Sequence, residues 1–211
     1  MRAETEPELG EQFGSFEQQK YAAHLGMWLF LASEVLLFGA LFGLYTAYRL
    51  QYAEAFRVAA RHNELWLGTA NTLILITSSL LAAWAVHALK QGRSALAALC
   101  LFGTIALGGV FLFLKLSEYA EHFRHGILPG ASGPELSERG ASLFFTLYYL
   151  MTGLHGLHVL GGISALAIML VQMLRGRYGP NRSTPVELGV LYWHLVDAIW
   201  IFLWPLFYLL T

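Results

Sequence analysis

The sequence predicts an all-α fold, a polytopic membrane protein built as a bundle of five transmembrane helices with its N-terminus cytoplasmic. Three observations carry this. Of 211 residues, 56% are hydrophobic and 13% charged, with a mean hydropathy of +0.53; a soluble domain of this size needs more charge to wet its surface. Five stretches each supply the roughly 20 apolar residues that a helix needs to cross a bilayer core about 30 Å thick. Those stretches are continuously apolar and do not alternate as barrel strands would, and only helices and closed barrels satisfy the backbone in lipid.

Residues 1–20 carry Glu4, Glu6, Glu8, Glu11 and Glu17 and read as a flexible acidic tail. A secretory signal would start basic and turn apolar at once, so no cleavable signal is expected. A single transmembrane domain is expected over residues 21–211. Its first span, 21–48, has His24 and Glu34 as its only ionisable groups besides tyrosines. The second, 65–89, has none before His87, and the third, 95–116, meets its first charge at Lys115. The fourth, 141–174, holds His155 and His158, and the fifth, 188–211, holds His194 and Asp197.

The connections are short. The third contains Pro129, Gly130, Gly133 and Pro134 and should be irregular. Lys and Arg divide seven to five between the two sides, the larger number falling with the N-terminal tail. The positive-inside rule then places the N-terminus in the cytoplasm. Gly39 and Gly43, and the glycines of the fourth span, mark close helix packing.

The net charge of −1 excludes a strong electrostatic footprint for nucleic acid. The one cysteine, Cys100, gives no intrachain disulfide and no thiolate cluster, and is expected to be buried. Neither a GxxxxGK loop nor a GxSxG turn is present.

Candidate chemistry is left to a few polar residues. Glu34 lies mid-span, where an ionised carboxylate is costly. It is either a proton-handling or lipid-headgroup site, or a neutral Glu bonded to a neighbouring helix. His155 and His158, three apart, share a helical face. They are an incomplete metal or heme set and are better suited to hydrogen bonding between helices, Glu34 included. His194 and Asp197 share a face and read as a structural polar pair fixing the last helix. Glu118, His122 and His125 resemble a metal site in spacing, at what reads as the membrane boundary. Asn71, Thr72, Thr77, Ser78 and Ser79 read as hydrogen-bonding glue.

Five segments in order resemble one family. They are HLGMWLFLASEVLLFGALF with Glu34, LGTANTLILITSS with Asn71 and Thr72, KLSEYAEHF with Glu118, LYYLMTGLHGLHVLGG with His155 and His158, and YWHLVDAIWIFLWPLFYL with His194 and Asp197. The chain is similar, from His24 onward, to subunit III of the heme-copper terminal oxidases (cytochrome c oxidase), in a five-helix bacterial form.

The resemblance implies a non-catalytic subunit of a proton-pumping oxidase of the respiratory chain in aerobic electron transport. Subunit I, its main contact, reduces oxygen to water and is stabilised by it. Subunit II and a small subunit IV are further partners. Heme and copper belong to the partner subunits, with none in this chain, and phospholipid is bound. The expected setting is the bacterial cytoplasmic (inner) membrane, multi-pass. Glu34, His155, His158 and Glu118 form the expected lipid or intramembrane polar site. Quinol oxidases and a nitric oxide reductase accessory protein share this subunit type. A small proton-coupled transporter and a heme-b membrane anchor are the alternatives outside the family.

Overall fold

The computed structural model describes residues 10–128 and 139–209, the side chain of Arg139 excepted. Residues 1–9 of the expected tail, and Pro129, Gly130, Gly133 and Pro134 of the loop expected to be irregular, lie outside the described residues. In chain order the helices are α1 (Phe16–Gln51), α2 (Ala53–Ala60), α3 (Leu65–Lys90), α4 (Ser94–Arg124), α5 (Arg139–Leu174) and α6 (Thr184–Tyr208), with a 3-10 turn at Pro180–Arg182. All but α2 are long and apolar enough to cross a membrane, as the sequence predicts.

Two elements differ from the sequence reading. First, α1 begins at Phe16, so residues 16–20 of the expected tail are helical. Ser15 accepts from the Gln18 backbone N–H at 3.2 Å, and the Gln18 side chain accepts from the Gly14 N–H at 2.9 Å. This reciprocal arrangement is a variant of the capping box, and it starts the helix ahead of the apolar run. Second, the link between the first two spans contains α2. Its Phe56, Ala59 and Ala60 fall at i, i+3 and i+4 and are buried. The helix packs on α5 where Gly140 lies so close to Ala55 that a Cβ there would stand 2.5 Å from the Ala55 Cβ.

Helices α3 to α6 form a four-helix ring, each packed on its chain neighbour and α6 closing back on α3. Small residues let α3 and α4 approach: Ser78, Ala82, Ala85 and Ala88 on one, Ala97 and Thr104 on the other. Their turn is made by Gly92 at φ +77°, with the Arg93 N–H bonded back to the Ala88 carbonyl at 2.9 Å. Trp193 of α6 fills the ring centre. Its indole lies against Gly108 and Gly162 and donates to Ser78 Oγ at 3.1 Å.

Helix α1 stands outside the ring and leans on α5 and α6. Of its 36 residues only Leu31, Phe38 and Tyr45 are buried, spaced by seven along one seam. Near its C-terminal end, the Tyr45 hydroxyl donates to the Leu206 carbonyl at 2.6 Å, and Asn63 Nδ2 donates to the Phe207 carbonyl at 3.0 Å. Both carbonyls belong to the last turn of α6, the part of a helix whose carbonyls look outside it for donors.

Candidate functional site

The intramembrane polar residues separate into three centres. The first joins α1 to α5. Glu34 Oε2 and His158 Nε2 are 2.8 Å apart, with side chains 13% and 16% exposed. His158 Nδ1 lies 2.8 Å from the Leu154 carbonyl. A carbonyl only accepts, so Nδ1 carries a hydrogen. With Nδ1 so engaged, the Nε2–Oε2 contact is one hydrogen bond, its hydrogen on the imidazole or the carboxyl. Phe38 meets the imidazole edge-on at 5.3 Å, and the Tyr192 hydroxyl donates to the His158 carbonyl at 3.0 Å. The centre lies on the α1 seam and stays reachable from its side.

The second centre is closed. Lys115 Nζ donates to Glu118 Oε2 at 3.0 Å, to the Tyr148 hydroxyl at 2.9 Å and to the Tyr208 hydroxyl at 2.8 Å. An ammonium has three hydrogens, so its donors are all used. Both tyrosine hydroxyls donate in turn to Glu118 Oε1, each at 2.6 Å. Tyr119, Tyr148, Trp200 and Tyr208 set their rings 4.8 to 5.5 Å from the ammonium. One ion pair thus ties α4 to α5 and α6 with its hydrogen bonds satisfied. That is the condition under which a buried pair is tolerated.

The expected grouping of Glu118 with Glu34, His155 and His158 is not what the structure brings together. Glu118 faces Lys115, and its companions at i+4 and i+7 diverge. His122 is buried against Phe145 and Tyr148, while His125 lies exposed beside Glu121. Among the described residues no three His, Cys, Asp or Glu side chains are placed to hold a metal.

The third centre lies between α3 and α6. Ser79 Oγ and His194 Nδ1 are 2.6 Å apart. Asp197, one turn along α6, is 4% exposed, and neither carboxyl oxygen has a hydrogen-bond partner. The expected pairing of His194 with Asp197 is therefore replaced by one between His194 and Ser79. A turn further, Trp200 donates to Thr72 Oγ1 at 3.1 Å. His155 is fully buried inside the ring, between Phe111 and Trp200 at 5.6 and 5.2 Å. Neither of its ring nitrogens is partnered, nor is either polar atom of the buried Asn71 side chain.

Sequence reasoning missed Lys115, Tyr148 and Tyr208 as site residues. The signal was the Lys-x-x-Glu spacing, which puts both charges on one helical face.

Comparison with known proteins follows the same residues. A family model described as cytochrome c oxidase subunit III matches residues 14–211. A cytochrome c oxidase subunit 3 from Thermostichus vulcanus is 35% identical over 188 residues, covering 89% of this chain and 87% of that protein. A quinol oxidase subunit 3 from Bacillus spizizenii is 29% identical over 187 residues, covering 88% and 86%. A heme-copper oxidase subunit I+III from Aeropyrum pernix is 30% identical over 189 residues, covering 87% of this chain and 22% of that protein.

Proposed function

The chain belongs to the cytochrome c oxidase subunit III family, and we propose that it is the non-catalytic subunit III of a proton-pumping heme-copper oxidase, stabilising subunit I and binding phospholipid. Subunit I is the main partner, with subunit II and a small subunit IV beside it. The relative whose name joins subunits I and III in one polypeptide supports the first of these contacts. Electrons come from cytochrome c on this reading, and heme and copper sit in the partner subunits. The membrane is the bacterial inner membrane, with the N-terminus cytoplasmic.

The observation that carries the lipid part is the way α1 meets the ring. It touches along one seam and leaves Trp28, Leu29, Leu36 and Leu44 exposed. Apolar side chains exposed on this scale need hydrocarbon or a partner helix against them. Beside the seam a groove of about 350 Å³ runs between α1, α3 and α6, lined by Ala83, Val86, Val190 and Leu191. Acyl chains suit such a groove. Glu34 and His158 hold the seam in register from within, and Glu118 belongs to the rigid ring that α1 leans on.

The test is to purify the full chain from its native membrane with its accompanying subunits. The expected result is a heme-bearing subunit in stoichiometric amount, phospholipid retained with the complex, and no heme on this chain after the subunits are separated. Stoichiometric heme on the isolated chain would overturn the reading.

A further inference from the structure

The groove between α1, α3 and α6 joins an apolar channel to a polar rim. Its lining runs from His24 and Glu187 to His194, seven residues along α6 from Glu187 and so about 10 Å deeper along the axis. The walls between are Ala83, Val86, Val190 and Leu191. Glu187 pairs with Lys90 Nζ at 3.1 Å, and the lysine side chain is half exposed. A second ammonium, that of Lys20 on α1, lies close enough to act on the same carboxylate.

The rim has hydrogen-bonding capacity to spare. Lys90 Nζ spends one of its three hydrogens on Glu187. Glu187 takes Lys90 on Oε2 and the Ser183 hydroxyl on Oε1 at 2.5 Å, so each oxygen keeps a lone pair. His24 Nδ1 lies 2.9 Å from the Lys20 carbonyl and carries a hydrogen, which leaves Nε2 of the neutral ring as an acceptor. Deeper in, His194 Nδ1 is engaged with Ser79 at 2.6 Å, and Nε2 is the nitrogen left for a ligand.

We infer that this groove is a site for a phospholipid with a primary-amine headgroup, of the phosphatidylethanolamine class. Its ammonium lies on Glu187 and His24, its phosphate on Lys90 and Lys20, and an acyl chain along the apolar walls. The inference rests on the phospholipid-binding reading above and names the headgroup that one site takes. An ammonium brings three N–H donors and a full charge, so its bonds to a carboxylate are charge-assisted and about twice as strong as neutral ones. A choline headgroup has the same charge but no N–H, and it leaves the lone pairs of Glu187 and His24 unused.

A second groove at the same end of the bundle supports the assignment by contrast. It lies along α5, has a volume of about 330 Å³ and carries Arg175 and Arg177 with no carboxylate. Charge of one sign suits any phosphate and reads nothing else of the headgroup. Glu187 is what makes the groove between α1, α3 and α6 selective. An imidazole whose Nδ1 accepts from Ser79 carries its hydrogen on Nε2, so His194 can donate to an ester carbonyl. Every glycerophospholipid offers that carbonyl, so His194 sets the depth of the lipid and leaves the choice of headgroup to the rim.

The test uses the full chain, purified from its native membrane with its accompanying subunits and reconstituted into phosphatidylcholine vesicles. Trace lipids with one photoreactive acyl chain, differing only in an ethanolamine, choline or glycerol headgroup, are cross-linked, and mass spectrometry maps the labelled residues. The ethanolamine lipid should label residues 83–86 and 188–191 about tenfold more than the choline lipid, the scale of one hydrogen bond to a charged group. The outer face of α4 at Phe102 and Phe113, exposed to bulk lipid, should be labelled equally by all three. Glu187→Gln should bring ethanolamine labelling of the groove down to the choline level and leave choline labelling unchanged. Where Glu187→Gln does not assemble, His24→Phe decides, with the preference expected to fall about threefold. Equal labelling of the wild-type groove by the ethanolamine and choline lipids overturns the headgroup assignment, as does glycerol labelling as strong as ethanolamine. So does a preference that survives Glu187→Gln or, in its place, His24→Phe. A groove labelled by none of the three above the level of the α4 face overturns the site and, with it, the phospholipid reading of the groove.

Discussion

Glu118 and Glu34 are both carboxylates in membrane-spanning helices, and their surroundings differ in kind. Glu118 sits in a ring where four helices pack closely. An ammonium and two tyrosine hydroxyls occupy its oxygens, and aromatic rings enclose its counter-ion. Glu34 sits on the seam of a helix that buries three residues in 36, with one imidazole as its partner. The difference teaches that position within a span does not assign a role. A carboxylate with every bond closed holds helices together, whereas one held by a single hydrogen bond at an open seam can answer to what lies beside it.

The comparison can be broken most forcefully at Lys115. Lys115→Met leaves Glu118 enclosed without its cation, which costs about 3–5 kcal/mol. Thermal unfolding of the purified complex should show a clear drop in midpoint and yield. Lys115→Met with Glu118→Leu removes both charges and should recover part of that loss. A single variant as stable as the wild type would mean that the closed centre is not a structural tie.

A smaller effect is expected where the ring is tightest. A Cβ on Gly108 would stand 2.7 Å from Trp193 Cη2, and one on Gly162 2.8 Å from Trp193 Cε3. Gly108→Ala should destabilise by about 1–3 kcal/mol through overpacking. By contrast Gly43→Ala, on the outer face of α1 with nothing within 4 Å, should not lower the unfolding midpoint and should raise it slightly, since a helix interior favours Ala over Gly. Equal effects at the two positions would deny the division into a tight ring and a loose α1.

The smallest effect on stability is expected at the seam. In Glu34→Gln the amide can still donate to His158 Nε2, because Nδ1 already carries the hydrogen. The unfolding midpoint should move by less than the roughly 1 kcal/mol typical of a hydrogen bond. Glu34→Leu, which removes the bond, should show the larger loss by the same measurement.

Much of this was legible in the residues. The five spans follow from the thickness of a bilayer, which leaves few other ways to fold five such apolar runs. The meeting of Glu34 with His158 follows from the scarcity of polar partners in lipid. The small helix α2 escaped notice because its apolar positions span barely one turn. The start of α1 depended on Ser15 and Gln18, a local cap in a stretch dominated by its acidic charge. The Lys115 centre was hidden by its place near a span end, where a charge is ordinary. Only the approach of Tyr148 and Tyr208 from two other helices reveals it as core. Helical spacing placed His194 and Asp197 on one face but could not show that Ser79, from α3, takes the imidazole and leaves the carboxyl free.

The central claim is that the α1 seam serves lipid and the neighbouring subunit while the ring holds the fold. Glu34→Gln in the assembled complex tests it most directly, by counting phospholipid per complex and following activity through prolonged turnover. The account predicts normal assembly with less retained lipid and a faster decline of activity. A variant complex with wild-type lipid content and wild-type endurance would contradict it.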